Sequence, residues 1–145
     1  MSSEPDIWDR RAADGLTPLC PYCDGHPPAN EVGGDAVYPH RSDLHEKRFY
    51  VCYDCEALVG CHPGTNKPLG RLANAQLRRA KSRAHAAFDP LWRGKKRGAR
   101  SAAYAWLAEA MGLKGRDCHF GMMSERLCNE AGRLARERRK ELTDG

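Results

Sequence analysis

Two cysteine pairs, Cys20-Pro21-Tyr22-Cys23 and Cys52-Tyr53-Asp54-Cys55, constrain this chain more than any other feature. Two residues between cysteines let one tight turn aim both thiolates at the same ion, and two such turns complete a tetrahedral shell of four sulfurs. The halves are separated by 28 residues, more than the commonest window of about 15 to 20. That leaves room for strands and a long loop, a zinc-ribbon-like arrangement rather than a fixed-length finger. Cys20, Cys23, Cys52 and Cys55 are therefore the expected ligands of one Zn2+. Four protein ligands leave no open coordination position, so the ion is expected to hold the fold together and do no chemistry. A thioredoxin-like redox pair needs a helix start after one C-x-x-C, and Pro21 with the Gly25–Pro28 stretch makes a poor one. A zinc deaminase needs H-x-E ahead of P-C-x-x-C, and that combination is missing.

Composition explains why such a staple is wanted. Leu, Val, Phe and Ile together supply 21 of 145 residues, below the roughly one-fifth level of a well-filled core. Many of the other apolar residues are alanines, so buried area alone offsets chain entropy only marginally. The longest apolar run, Ala102 to Ala108, is far too short for a bilayer, and Met1–Asp6 has neither a charged n-region nor an apolar h-region. The expectation is a cytoplasmic chain with no membrane segment, whose thiols stay reduced and available to metal.

Pattern divides the chain into three. Residues 1–17 read as a flexible acidic lead-in with Ile7 and Trp8 as the large apolar anchors. Residues 18–64 read as knuckles and short strands, with Lys47–Val51 and Ala57–Val59 carrying aromatic or β-branched character on either side of Asp54. After Gly64 the period becomes helical. Leu69, Ala73, Leu77, Ala80, Ala84, Ala87 and Phe88 share one sector of a helix over 69–88, with Arg71, Arg78, Lys81 and His85 opposite. Asp89-Pro90 ends it. A second helix is expected over 99–111, its inner face Ala103, Trp106, Leu107, Ala110 and Met111, with Gly112 as C-cap. A third runs from the N-cap Ser124 to about Leu142 with Leu127, Ala131, Leu134, Ala135 and Leu142 inward. The fold class is α+β: N-terminal zinc-ribbon-like β-hairpins followed by a three-helix α subdomain, residues 65–145, packed on the ribbon as one compact unit.

Charge divides the chain too. Residues 1–60 hold 5 Lys+Arg against 11 Asp+Glu, net −6, while residues 61–145 hold 19 against 8, net +11. From Lys67 to Arg100, 11 basic residues face the single acid Asp89. Such a field attracts polyanions, and nucleic acid is the commonest in a cytosol. The expected phosphate contacts are Arg71, Arg78 and Lys81, the loop Lys95-Lys96-Arg97, and Arg136 and Arg139 near the C-terminus. Tyr22, Phe49, Tyr50 and Tyr53, close to the knuckles, either stack on bases or pack beneath the ribbon.

Cys61, Cys118 and Cys128 remain. Cys61-His62 and Cys118-His119 are adjacent pairs, and His85 and Asp89 lie one helical turn apart. Cys61, His62, His85, Asp89 and His119 could together make a second ion site. The plainer alternative has the thiols as small buried hydrophobes and His85 paired with Asp89 at a helix end. No spacing is diagnostic, and the plainer alternative is the preferred expectation.

A longer string of residues carries a resemblance. Val51-Cys52 through Cys55, Val59-Gly60-Cys61-His62-Pro63-Gly64-Thr65, Pro68-Leu69-Gly70, Ala84-His85-Ala86-Ala87-Phe88-Asp89-Pro90-Leu91-Trp92, Ala103–Ala108 and Cys118-His119-Phe120-Gly121-Met122 together look like the "zinc-finger-containing domain" family over about residues 18–130. The resemblance implies a zinc finger at the four cysteines and a phage or prophage origin, and it carries no established activity.

Three functions follow in order of preference. The first is a nucleic-acid-binding module acting through a basic helical face, with DNA and RNA equally open. The second is a protein-interaction module that docks on a host protein of the transcription or defence machinery. The third is a hydrolase built on His62, His85, Asp89 and His119, which lacks any accompanying nucleophile elbow, P-loop or H-E-x-x-H. Oligomeric state is not legible.

Overall fold

In the computed structural model, residues 10–144 are described, so most of the expected lead-in, with Ile7 and Trp8, lies outside the described residues. Where the lead-in is described it is hydrogen-bonded. Asp14 accepts from the backbone N–H groups of Leu16 and Thr17, both at 2.8 Å, and from the Thr17 hydroxyl at 2.6 Å. Arg11 then pairs with Pro18 in an isolated antiparallel bridge. An Asp that bonds its own following backbone makes a turn, which is why this stretch closes on itself.

The chain divides into two compact units, with the boundary between Ala75 and Gln76. Unit 1 contains a three-stranded antiparallel sheet in the order β1-β2-β3, with β1 at Asn30–Gly33, β2 at Arg48–Val51 and β3 at Leu58–Gly60. Tyr50 lies opposite Glu31 on one side and Val59 on the other. Because β2 is the central strand, Phe49, Tyr50 and Val51 are all buried, without the alternation of a half-exposed strand. The β1–β2 connection holds the four-residue helix α1, Gly34–Val37. Gly34 is required there: a Cβ would run into the Leu44 carbonyl oxygen.

Residues 65–74 belong to this unit rather than to a helix. Pro68 bridges Cys61 and Ala73 bridges Leu58, with Leu58 and Ala73 exchanging backbone bonds of 3.0 and 2.9 Å. Leu72 is buried in the sheet's core, whereas Leu69, expected inward on the helix, is 51% exposed. The first long helix, α2, therefore covers Ala75–Phe88, six residues shorter than expected, and the unit boundary falls at Ala75 instead of Gly64. Ladder bonds to β3 outcompete helical spacing over these residues. Arg71 moves with them. It is fully buried and cannot meet phosphates from a helix surface.

Unit 2 holds α2, α3 (Ala99–Met111) and α4 (Glu125–Asp144). Leu77, Ala80, Ala84, Ala87 and Phe88 are the buried face of α2, as expected from the helical period. Phe88 anchors a ring cluster, its centroid 4.6 Å from Tyr104 and 5.6 Å from Phe120. Small residues let α4 approach: at Gly132 a Cβ would lie 3.6 Å from the Ala84 Cα. Gln76 donates to Glu125 at 3.1 Å, which ties the first turn of α2 to the first turn of α4. On α3 Leu107 and Ala108 are buried while Ala110 is exposed. Leu127, Ala131 and Ala135 are buried on α4, but Leu142 is 56% exposed. Both caps form. The Ser124 hydroxyl accepts from the Leu127 N–H at 3.3 Å, and Gly112 at φ +69° turns the chain so that the Leu113 N–H reaches the Ala108 carbonyl at 2.9 Å.

Candidate metal centre

The sheet delivers one half of the site and a small loop the other. β2 runs straight into Cys52, whose N–H donates to the Ala57 carbonyl at 2.9 Å while its own carbonyl accepts from Glu56 at 2.7 Å. That closes the turn Cys52–Cys55 into β3. Glu56 takes φ +62°, a left-handed conformation that costs an L side chain about 1 kcal/mol relative to Gly. The first knuckle is closed the same way. Cys20 donates to the Pro27 carbonyl at 2.8 Å, the His26 N–H reaches the Cys23 carbonyl at 3.0 Å, and a His26 ring nitrogen sits 3.0 Å from the Cys20 carbonyl oxygen. Leu19 bridges Pro28, so residues 18–20 and 27–29 form a miniature hairpin around the turn.

These two turns bring all four sulfurs within 4.8 Å of one another. Cys20 and Cys55 are 3.5 Å apart and Cys23 and Cys52 3.7 Å, far beyond a disulfide bond of about 2.05 Å. A tetrahedral ion with sulfur bonds of about 2.3 Å has sulfur–sulfur edges of about 3.8 Å, so the cage is the right size. The donor set fits as well. Four thiols select a soft, tetrahedral ion. Burial pushes the Cys20 thiol well up and that of Cys23 up to about 11. Against that, backbone N–H groups of Tyr22 and Cys23 pull on the Cys20 sulfur. Cys52 ends up lowered, because the Cys55 N–H and the neighbouring thiols outweigh its burial. A cation must displace protons here and compensate for burying the charge. The cluster sits in the core of unit 1: Cys20 and Cys52 are buried with Ala29, Tyr50, Ala57, Val59 and Leu72, and Tyr22, Cys23 and Cys55 pack against them.

The aromatics near the knuckles divide. Tyr50 is buried with its hydroxyl donating to the Asn66 carbonyl at 2.7 Å, and Phe49 is buried. Tyr22 donates to the Leu72 carbonyl at 3.2 Å. Those three are structural, and Tyr53, at 63% exposed, alone of the four is placed to meet a ligand.

The remaining candidate ligands lie in separate units. Cys61 is buried and His62 exposed in unit 1, while His85, Asp89 and His119 belong to unit 2. His85 Nδ1 lies 3.6 Å from an Asp89 oxygen, and its ring packs 4.3 Å from Phe120. The other Asp89 oxygen accepts from Arg93 at 3.0 Å. Among the described residues, neither unit gathers a second trio of His, Cys, Asp or Glu ligand atoms.

Of the expected phosphate contacts, Lys95, Lys96, Arg97, Arg136 and Arg139 are exposed, and among the described residues none of them forms an ion pair. Arg78 is half-buried, and Lys81 donates to the Gly121 carbonyl at 3.1 Å, tying it into unit 2. Lys96 and Arg138 border one groove of about 260 Å³ on unit 2, together with Ala99, Trp106 and Leu142. The Arg138 guanidinium lies 5.6 Å from the Trp106 ring. Sequence reasoning missed a cleft around Arg100 and Tyr104, which α3 forms with Gly115, Cys118 and His119.

A family model for a zinc-finger-containing domain matches residues 16–138. No curated protein and no solved structure matches the chain. Among the described residues no helix is long and apolar enough to cross a membrane.

Proposed function

We propose, from the premise that this chain belongs to the zinc-finger-containing domain family, that the four-cysteine cage holds one structural zinc and that unit 2 binds nucleic acid through phosphates. The observation that carries the second half is the exposed run Lys95-Lys96-Arg97, free of ion pairs among the described residues, with Lys96 on the same groove as Arg138 of α4. Residues 76–145 hold 17 Lys+Arg against 8 Asp+Glu, net +9, whereas residues 1–75 hold 7 against 11, net −4. A polyanion is thus drawn to one unit and repelled by the other. Long cationic side chains on a loop and a helix end fix register on a phosphate backbone and carry no base code, so binding is expected to be weakly sequence-dependent. Zinc, in this reading, keeps unit 1 folded and takes no part in chemistry.

The test is salt-dependent binding. Affinity for short DNA and RNA duplexes and single strands should fall steeply with salt, because each neutralised phosphate releases counterions. Replacing Lys95, Lys96 and Arg97 by Ala should weaken binding alike on unrelated sequences and flatten the logarithmic salt slope by about one unit per lost contact. No binding at low salt by folded, zinc-loaded protein defeats the reading. Docking on a host protein would then take its place, a second reading favoured by the apolar floor of the Trp106 groove and the exposed Leu142.

A further inference from the structure

The groove that Lys96 and Arg138 border has a floor that phosphates cannot use. Ala99, Ala102, Ala103 and Trp106 of α3 all line it, and their spacing of i, i+3, i+4 and i+7 places them on one helix face. Three alanines beside an indole leave the open space, and Leu91 and Leu142 complete the apolar lining. Trp106 is half-buried and Leu142 is 56% exposed, so solvent reaches this surface. Resting on the nucleic-acid reading above, we propose that the groove takes one unpaired base of a single strand, packed against Trp106, while Lys96 and Arg138 meet neighbouring phosphates.

Charge and size select this occupant. The charged residues that line the groove are Lys96 and Arg138, and no carboxylate joins them. Arg138 lies 5.6 Å from the Trp106 ring centroid, so a cation and an aromatic ring stand side by side. Arg138 also meets Glu141 at 3.7 Å, an exposed pair of the kind that contributes little and that a phosphate can replace. Lys96 belongs to the exposed Lys95-Lys96-Arg97 run, which makes the groove continuous with the loop already expected to hold phosphates. Its volume of about 260 Å³ lies just below the range of about 300 to 1,000 Å³ for drug-sized ligands, room for one flat ring system. The apolar face of a peptide helix presents anchors at i, i+3 or i+4, and i+7, and needs a longer trough. A base offers an apolar π-face to an aromatic side chain and leaves its charge in the adjoining phosphates, the same division that the groove shows. In a duplex the bases are paired and stacked, and drawing one out is costly, so a duplex meets the cations alone.

The test measures binding of the full-length, zinc-loaded protein to three labelled probes of equal length: a single-stranded oligothymidylate, the same strand with every base removed, and a duplex. The intact strand should bind about tenfold more tightly than its abasic twin, the effect of one base stack. Trp106→Ala should remove most of that difference and leave duplex affinity and the salt slope unchanged, because the lost contact is not ionic. Trp106→Phe, which keeps a ring, should retain most of the preference. The Lys95, Lys96 and Arg97 triple alanine should instead weaken all three probes. Should Trp106→Ala fail to fold, Leu142→Gln, at an exposed position, must still narrow the gap between intact and abasic strands severalfold. Intact and abasic strands that bind equally, each with steep salt dependence, would overturn this inference and leave the phosphate reading standing. No binding of any probe would defeat both. A folded Trp106→Ala that keeps the wild-type preference would also overturn it. So would tight binding of a short Glu- and Leu-rich peptide, lost in Trp106→Ala and unaccompanied by base-dependent strand binding, which would give the groove to a protein partner.

Discussion

Unit 1 and unit 2 reach a fixed shape by different means. In unit 1 three strands of three or four residues each and a core rich in cysteine and alanine surround four sulfurs. So little apolar area cannot offset the entropy of the long, turn-rich chain that the strands interrupt. A bound ion with an apparent energy of about 10 kcal/mol or more can. Among its described residues unit 2 gathers no such cluster of ligand atoms. It relies on three helices whose alanines and Gly132 permit close approach, and on the ring cluster of Phe88, Tyr104 and Phe120. The same chain thus handles a shortage of large aliphatics once with a metal site and once with small-residue helix packing.

That contrast can be broken or sharpened by experiment. The largest effect expected is from metal removal or Cys52→Ser, which should abolish amide-exchange protection of β1, β2 and β3 while α2, α3 and α4 keep theirs. Loss of protection everywhere at once would show that the two units do not draw on separate sources of stability. Next comes Phe88→Ala, which should cost about 3–5 kcal/mol by chemical denaturation, the range for emptying an aromatic site in a core. A loss under 1 kcal/mol would mean the ring cluster is not what holds unit 2. Gly34→Ala should destabilise unit 1 by about 3 kcal/mol, near the top of the range for overpacking, because the Leu44 carbonyl is backbone and cannot step aside. A fully stable alanine variant would contradict that close approach.

The smallest effects lie at turn and cap positions. Ser124→Ala should cost about 1 kcal/mol through the lost bond to the Leu127 N–H, and a neutral result would deny the cap. Glu56→Gly should stabilise the metal-loaded protein by about 0.5–1 kcal/mol by relieving the left-handed backbone at the second knuckle. A drop in melting temperature for this variant would show that the Glu56 side chain contributes something its conformational cost conceals.

Much of this was legible in the chain itself, and most of the misses lie where backbone pairing overrides local pattern. The metal cage follows from spacing alone, since two C-x-x-C turns leave few ways to arrange four thiolates. β2 and β3 follow from their aromatic and β-branched residues, and α3 and α4 from period and caps. β1 escaped because Asn30-Glu31-Val32-Gly33 has a single β-branched residue; pairing with β2, not propensity, makes it a strand. Leu69, Ala73 and Leu77 kept helical period across a boundary where the backbone bonds to β3, and Arg71 was misplaced with them. Pro68, Gly70 and the potential N-cap residue Asn74 were the local signs of that boundary. The Arg100 cleft was hidden for another reason: it joins α3 to residues 115–119, and no periodicity within one segment reports a meeting between two.

The four-sulfur metal site is the claim on which the rest of unit 1 depends. X-ray absorption at the metal edge, together with elemental analysis of the same native sample, tests it most directly. One zinc per chain surrounded by four sulfurs at about 2.3 Å is the expected result. A metal-free protein that is nonetheless folded, or a shell containing nitrogen from a histidine, would contradict it.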